Sequence, residues 1–567
     1  MVEKSAAIQV LVRPVHRFRV FPEKVYAMSL GEMAVLQTSP MQRLRGLRQI
    51  GLGYLALPTA EHSRLAHSLG TAYWAVEFLA HLRSNVFSNA GGDGYDFPGN
   101  RHRLEEIDEL LGADLSLDLV VRLFALVHDM TLLPLGHTLQ FQLGYYGHEE
   151  ANAERAQWCL QWIRKELKTA LSSVYGGGNV SHAQLYDCLI SHLSLVQRLF
   201  HFRHDSEGSN KKKGRARTSH VSGKVETAIF PLVIDLIAST FSADLVDFAL
   251  RDSLGAGMSR TFDEGVGDYL CVYCLPEEKL SETVSEPVGR LNPRPPTRKK
   301  SYRLGLNPLL GTYRHEVVTG VISLQRIRYE LAEKVFYHEE KLAADAMFDR
   351  AIRLIDKETH AISQELGPFS QAKLLRMGDE DLLKLLETKE RQVLNKIGQR
   401  AEKLGKSIQV LSAQARNKAT SPRGLRPIMP DLLARRLYKE AFRVSLMSDL
   451  SPQGLSLVEK AARPKARTAL ERTILRRIPE LTETDLIFSS RPFTMQAKPS
   501  SVLIGWMDGS PLPLMDIARR FGYATEALDL ADRYQSLWSL SVYLRPEVFS
   551  FAPQVNQVCR MLLQAKP

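Results

Sequence analysis

"LFALVHDMTLLPLGHTLQ", residues 123–140, sets His128 and Asp129 side by side at the end of an apolar helical run, then uses Pro134 and Gly136 to turn the chain toward His137. A helix that is apolar on most sides belongs in a core. Polar groups at its end are carried into the interior, where a charge needs a partner or a metal. Taken alone, a histidine beside an apolar face is more often a satisfied core residue, so the flanking sequence has to decide.

Outward from this stretch the hydrophobic period is helical from Gly31 to about Ile355: "SPMQRLRGLRQIG", "HSRLAHSLGTAYWAVEFLAHL", "HEEANAERAQWCLQWIRKEL", "VETAIFPLVIDLIASTFSADLVDFALRDSL" and "SLQRIRYELAEKVFYHEEKLAADAMFDRAIRLI" follow one another. The expected fold is mostly α. Residues 1–30 read as an N-terminal extension, 31–360 as the helical domain, and 361–425 as charged amphipathic helix. After Pro422 the texture changes, and "EAFRVSLM", "DLIFSSRPF" and "SSVLIGWMDG" read as short strands, so residues 426–567 are expected to form a smaller α+β lobe.

Composition sets bounds on function. The chain has 567 residues, 44% hydrophobic and 24% charged, which is ordinary for a globular protein. It has no uninterrupted apolar run of the roughly 18 residues that a membrane span requires, and its start lacks the apolar block of a secretory signal, so a cytoplasmic protein is expected. The five cysteines are too scattered for a disulfide framework, and the single CxxC, Cys271 to Cys274, reads as two buried thiols before it reads as a zinc site. The net charge of +11 favours acidic ligands. Part of that excess lies in basic loops near 205–224 and 281–303, which read as solvated insertions with nucleic acid as a secondary partner. "SSVYGGGNVSH" has no Lys-Ser or Lys-Thr after its glycines, which excludes a P-loop.

Further polar residues match His128 and Asp129. His67 stands in "EHSRLAHSLG", and in "SADLVDFALRDS" Asp244, Asp247, Phe248 and Arg251 fall at i, i+3, i+4 and i+7, one face of a helix. Imidazoles and carboxylates suit a divalent ion, and His67, His128, Asp129 and Asp244 form a candidate set. The plain alternative for Asp247 and Arg251 is an i,i+4 ion pair worth about 0.2–0.5 kcal/mol.

The order His, His-Asp, Asp in these flanks resembles the HD-domain metal-dependent phosphohydrolases, and within them the deoxynucleoside triphosphate triphosphohydrolases, bacterial dGTPases and the metazoan SAM-and-HD-domain dNTPase. The likeness is carried by "MQRLRGLRQIGLGYLALPTAEHSRLAHSLG", "LVHD" with "PLGH", "SADLVDFALRDS", "LAEKVFYHEEKLAADAM" and, more faintly, "LLARRLYKEAF". The resemblance implies an HD-domain helical core and one divalent metal, Mg, Mn, Fe, Co or Zn, on His67, His128, Asp129 and Asp244. It further implies dNTP contacts from Gln49, Arg64, Asp252 and Arg328, with proton handling by His137 and His148. An activating nucleotide near Arg435 and Lys439, and a homo-oligomer, also follow from it. The implied reaction releases deoxynucleoside and tripolyphosphate, which lowers dNTP pools and would serve pool control or defence against phage.

The chain departs from that pattern. Leu132 stands where a second histidine is usual, and Gln140 and Phe141 where a carboxylate is usual. Leu245 replaces a phosphate-binding lysine, and Phe248 a tyrosine. These changes spare metal binding and weaken proton transfer and triphosphate grip. Two alternatives therefore stand: a phosphohydrolase or phosphodiesterase acting on other nucleotides, and a nucleotide-sensing or nucleic-acid-binding protein with a degraded site.

Overall fold

The computed structural model describes residues 4–85, 100–136, 138–139, 152–209, 223–276, 300–310, 312–359, 369–411, 425–445, 450–461, 464–490, 500–507 and 510–563. The basic loops fall almost wholly outside these residues.

The N-terminal segment is more structured than an extension. It folds into an antiparallel hairpin, β1 (Pro14–Phe21) and β2 (Lys24–Ser29). Ser29 and Glu32 then form a reciprocal cap on α1 (Leu30–Leu36), which satisfies backbone donors at its start. "SPMQRLRGLRQIG" gives a short helix, Ser39–Arg43, and a single 3-10 turn, Leu44–Gly46, before Arg48 bridges Ser63.

The large core is built from α2 (Arg64–Ser84), α3 (Leu117–Val127), α4 (Ala153–Val174), α5 (His182–Ser209), α6 (Lys224–Ala238) and α7 (Ala243–Gly255). The central element is α3. Its Leu119, Val120, Val121, Leu123, Phe124, Leu126 and Val127 are all buried, and full burial of each such side chain is worth about 1.5–3 kcal/mol. That burial fixes where α3 ends, and so fixes His128 and Asp129. The stretch Lys224–Gly255 is long and apolar enough to cross a membrane, and 67% of its most apolar window is buried inside the fold.

Strands β3 (Leu270–Pro276) and β4 (Lys300–Leu306) interrupt the helical series, which resumes with α8 (His315–Leu331), α9 (Glu339–Thr359) and α10 (Asp379–Leu411). Cys271 and Cys274 lie three apart on β3 and therefore face opposite sides of the sheet, so they cannot share an ion. Burial pushes the Cys271 thiol up to about 12.

The C-terminal strands form where the sequence indicates, but they divide between two cores. They comprise β5 (Lys439–Ser445), β6 (Leu486–Ser490), β7 (Leu503–Gly505), β8 (Pro511–Pro513) and β9 (Ser539–Leu544). The sheet β5-β9-β6 is antiparallel, whereas β7 pairs in parallel with β4 and so extends the hairpin of the helical core. Val502, Ile504, Leu514 and Ile517 accordingly pack in the large core, and a separate smaller core gathers Phe442, Val444, Phe488, Leu540 and Val542.

Candidate metal centre

Three helix ends meet at one point. Ser63 caps α2 by accepting from Ala66 N, which places Arg64 in the first turn and His67 one turn further. Ser242 caps α7 by accepting from Leu245 N and so places Asp244 in its first turn. His128 and Asp129 follow directly after α3.

The four side chains converge. His67 Nε2 lies 3.3 Å from His128 Nε2, 3.0 Å from Asp244 Oδ1 and 3.8 Å from Asp129 Oδ2. His128 Nε2 is 3.6 Å from Asp129 Oδ1 and 3.8 Å from Asp244 Oδ1. His67, His128 and Asp129 are buried with ligand atoms mutually within 4.8 Å, and Asp244 closes the group from a half-buried position.

The tautomers suit a cation. His128 Nδ1 donates to Ala125 O at 2.7 Å, and His67 Nδ1 donates to Asp247 Oδ2 at 2.7 Å. With each Nδ1 proton engaged, each Nε2 turns its lone pair toward the other and toward two carboxylates. Such a cluster of donors calls for positive charge between them. Without an ion, burial opposes a charge on His67, yet hydrogen bonds to Asp244 and Asp247 prevail and raise its pKa to about 10. The site then takes up a proton where a divalent cation fits. The donor set matches the hard to borderline divalent metals.

Arg64 is buried and donates from Nη1 to Asp129 Oδ2 at 2.7 Å and from Nη2 to Gln49 O at 2.9 Å. It thus braces the carboxylate of Asp129. Gln49 is buried beside it, and its Oε1 has no partner among the described residues. Asp252 accepts from His62 Nε2 at 2.7 Å, and His62 Nδ1 is likewise without a partner. Arg328 is half-buried on α8, which packs on α7. His137, His148 and Gln140 lie outside the described residues. Leu132 and Leu245 are both buried.

"LLARRLYKEAF" is helical only at its start. Its helix, Met429–Leu433, stops where Arg435 takes a left-handed backbone (φ 56°), and Lys439 opens β5. Arg435 reaches Ala56 O at 3.3 Å, and Lys439 is exposed with its ammonium 5.7 Å from the Phe549 ring.

Several residues that build the site carry no local signal in the sequence. Arg43 Nη2 donates to Met130 O at 2.9 Å and Leu132 O at 2.8 Å, tying down the turn after Asp129. Asp379, at the start of α10, accepts from Leu135 N at 2.6 Å and Arg48 N at 2.7 Å. His62 is legible only as the partner of Asp252, a pairing that requires the fold.

A buried His-His-Asp group at converging helix ends can hold a divalent metal and is consistent with a metal-dependent hydrolase site. No family model matches the chain. An uncharacterized protein of Methanocaldococcus jannaschii is 23% identical over 369 residues, 65% of this chain and 54% of that protein. A protein of Acanthamoeba polyphaga mimivirus named for an HD domain is 27% identical over 104 residues, 18% of this chain and 20% of its own length. The deoxynucleoside triphosphate triphosphohydrolase SAMHD1 of Bos taurus is 42% identical over 50 residues, 9% of this chain and 8% of that protein. The matches thus span about half the length of the archaeal relative and far less of the others. The triad and the short matches to the viral and bovine proteins point the same way, to a distant likeness to HD-domain proteins around a group that can hold a divalent metal.

Proposed function

We propose that this protein hydrolyses deoxynucleoside triphosphates to deoxynucleoside and tripolyphosphate. The observation that carries the reading is the buried Gln49, whose Oε1 has no partner among the described residues and whose backbone carbonyl accepts from the same Arg64 that braces Asp129. His67, His128, Asp129 and Asp244 would hold a divalent ion, which would supply Lewis-acid polarisation of a phosphoryl oxygen and lower the pKa of a water. Arg64 holds the carboxylate of Asp129 in place. Gln49 and Asp252 offer hydrogen bonds to a sugar hydroxyl. The bovine relative's name gives the substrate class its support.

A second reading rests on Leu245. It is buried in the core beside Asp244, so no cation stands there to grip a long phosphate chain. Under this reading the substrate is a nucleotide with fewer phosphates. Incubation of the purified protein with each nucleotide and Mg, Mn, Co or Fe separates the two by product. Deoxynucleoside with tripolyphosphate supports the first, and inorganic phosphate from a monophosphate supports the second. Absence of turnover with every metal and nucleotide overturns both.

A further inference from the structure

We propose that the N-terminal hairpin is a positioning element of the metal centre: through Arg251 it holds Asp247, and through Asp247 it sets the orientation of His67. The inference rests on the metal-centre reading above.

Asp247 is fully buried, and its two oxygens are committed. Oδ2 accepts from His67 Nδ1 at 2.7 Å and from Arg251 Nε at 2.9 Å, while Oδ1 accepts from Arg251 Nη2 at 2.9 Å. The guanidinium is in turn held by the hairpin. Its Nη2 donates to Val20 O at 3.2 Å, and its plane lies 4.4 Å from the Phe21 ring.

The helix carrying His67 is shaped to admit this pair. Gly70 sits one turn beyond His67 on α2, where an added Cβ would come within 1.6 Å of Asp247 Oδ1 and 2.4 Å of Arg251 Nη2. No side chain can stand there. A buried ion pair of this kind is seldom favourable for stability in itself, because desolvation offsets the attraction. What it does here is fix the imidazole.

The two histidines differ in this respect. His128 is oriented from within its own segment by Ala125 O, three residues earlier. His67 depends on a carboxylate from α7, which depends on an arginine clamped by β1. The hairpin therefore reaches the ion through side chains that never touch it. Carboxylate partners of metal-bound histidines fix the tautomer and ring angle, and losing one lowers metal affinity about 10–100-fold.

The test measures the affinity of the full chain for Mn2+ by calorimetry and records the visible spectrum with Co2+. Phe21→Ala, Arg251→Lys, Arg251→Ala and Asp129→Asn are compared with the unaltered protein. Arg251→Ala is expected to lose about 10–100-fold in affinity. Arg251→Lys should recover part of it, since one ammonium restores charge without the paired donors. Phe21→Ala should lose several-fold and change the Co2+ band, although Phe21 touches neither the ion nor its ligands. Should Arg251→Ala fail to fold, the other two carry the test. Folded Phe21→Ala and Arg251→Lys with unaltered affinity and Co2+ spectrum overturn the proposal while Asp129→Asn has lost its metal. Full affinity in Asp129→Asn is a different result, and it removes the metal-centre reading itself.

Discussion

His67 and His128 arrive from different helices and present the same atom by the same means: an acceptor on Nδ1 frees Nε2 for the centre. The carboxylates then decide whether an ion stays. Asp129 is the most constrained of them, with Arg64 on Oδ2 and both histidines within 3.8 Å of its carboxylate oxygens. Asp129→Asn removes the charge and sets an amide against the guanidinium, so metal content by elemental analysis and hydrolysis should fall together. A variant with its full complement of metal contradicts the assignment. Gln49 poses a separate question, because a buried amide oxygen without a partner costs about 1–3 kcal/mol unless a ligand satisfies it. If that ligand is the sugar 3′-hydroxyl, dNTPs are hydrolysed in preference to 2′,3′-dideoxy analogues, since a site built on a hydrogen bond rejects the analogue lacking it. Gln49→Ala should then lower the rate on dNTPs and narrow that preference. An unaltered ratio of the two rates would withdraw Gln49 from the sugar site.

The turn that follows Asp129 is held by elements remote in sequence. Leu135 and Gly136 both adopt positive φ, 59° and 40°. At Gly136 an added Cβ would also press on Arg64 Nη2 at 3.2 Å, so this glycine answers to both conformation and space. The strained Leu135 is retained because Asp379 accepts its N–H, and the same carboxylate holds Arg48 next to Gln49. Asp379→Ala leaves the buried Leu135 N–H without an acceptor, a cost of about 1–3 kcal/mol, and frees the half-buried Arg48 N–H at a smaller one. Chemical denaturation should show the loss, and an unchanged midpoint would mean that water replaces the carboxylate. These contacts mark where sequence reading stops. The periodicity of "LFALV" and the i, i+3, i+4, i+7 stripe at Asp244 are local properties of one helix each, and the helical core could be read from them, whereas the metal donors were implied by the resemblance of the flanking segments. The bond from Asp379 to Leu135 spans 244 positions and leaves no period. The hairpin escaped notice because β1 is largely exposed, with Val20 its only fully buried residue, so its alternation is faint. In "LLARRLYKEAF" the helix ends at Leu433 because Arg435 turns left-handed, a change that leaves no mark in the spacing.

On the scale of the whole molecule, two apolar cores share one sheet. Along β6, Ile487 belongs to the large core, and Leu486 and Phe488 to the small one. Along β9, Tyr543 faces the large core while Val542 and Leu544 face the small. Both faces are buried: Ser539, Ser541 and Tyr543 alternate along β9 with Leu540, Val542 and Leu544, and none of the six is exposed, so the C-terminal segment forms a second core against the first. A cluster of charges reinforces the joint. Arg350 and Arg353 of α9 pair with Glu471 at 2.6 Å and 3.1 Å, and Asp349 pairs with Arg353 at 2.9 Å and Arg467 at 3.6 Å, where Glu471 and Arg467 belong to the helix Pro464–Arg477. Burial works against a charged Asp349, but the guanidinium groups of Arg353, Arg467 and Arg350 outweigh it and hold its pKa below the ordinary 3.8. Such a carboxylate binds its proton more weakly in the folded chain than in the unfolded one. Its contribution is therefore complete above about pH 4 and lost as the pH falls through the depressed value. Protonation removes one carboxylate charge from among the buried Arg350 and Arg467 and the half-buried Arg353, and unpairing a buried charge costs about 3–5 kcal/mol. The small core should then loosen before the large one: at pH 3, limited proteolysis is expected to cut between the cores while the segment containing His67 and His128 stays protected. Asp349→Asn should reproduce that pattern at pH 7, where other carboxylates keep their charge. If Asp349→Asn at pH 7 is cut no faster than the unaltered chain, the apolar sheet alone joins the two cores, and the charge cluster has no part in holding them.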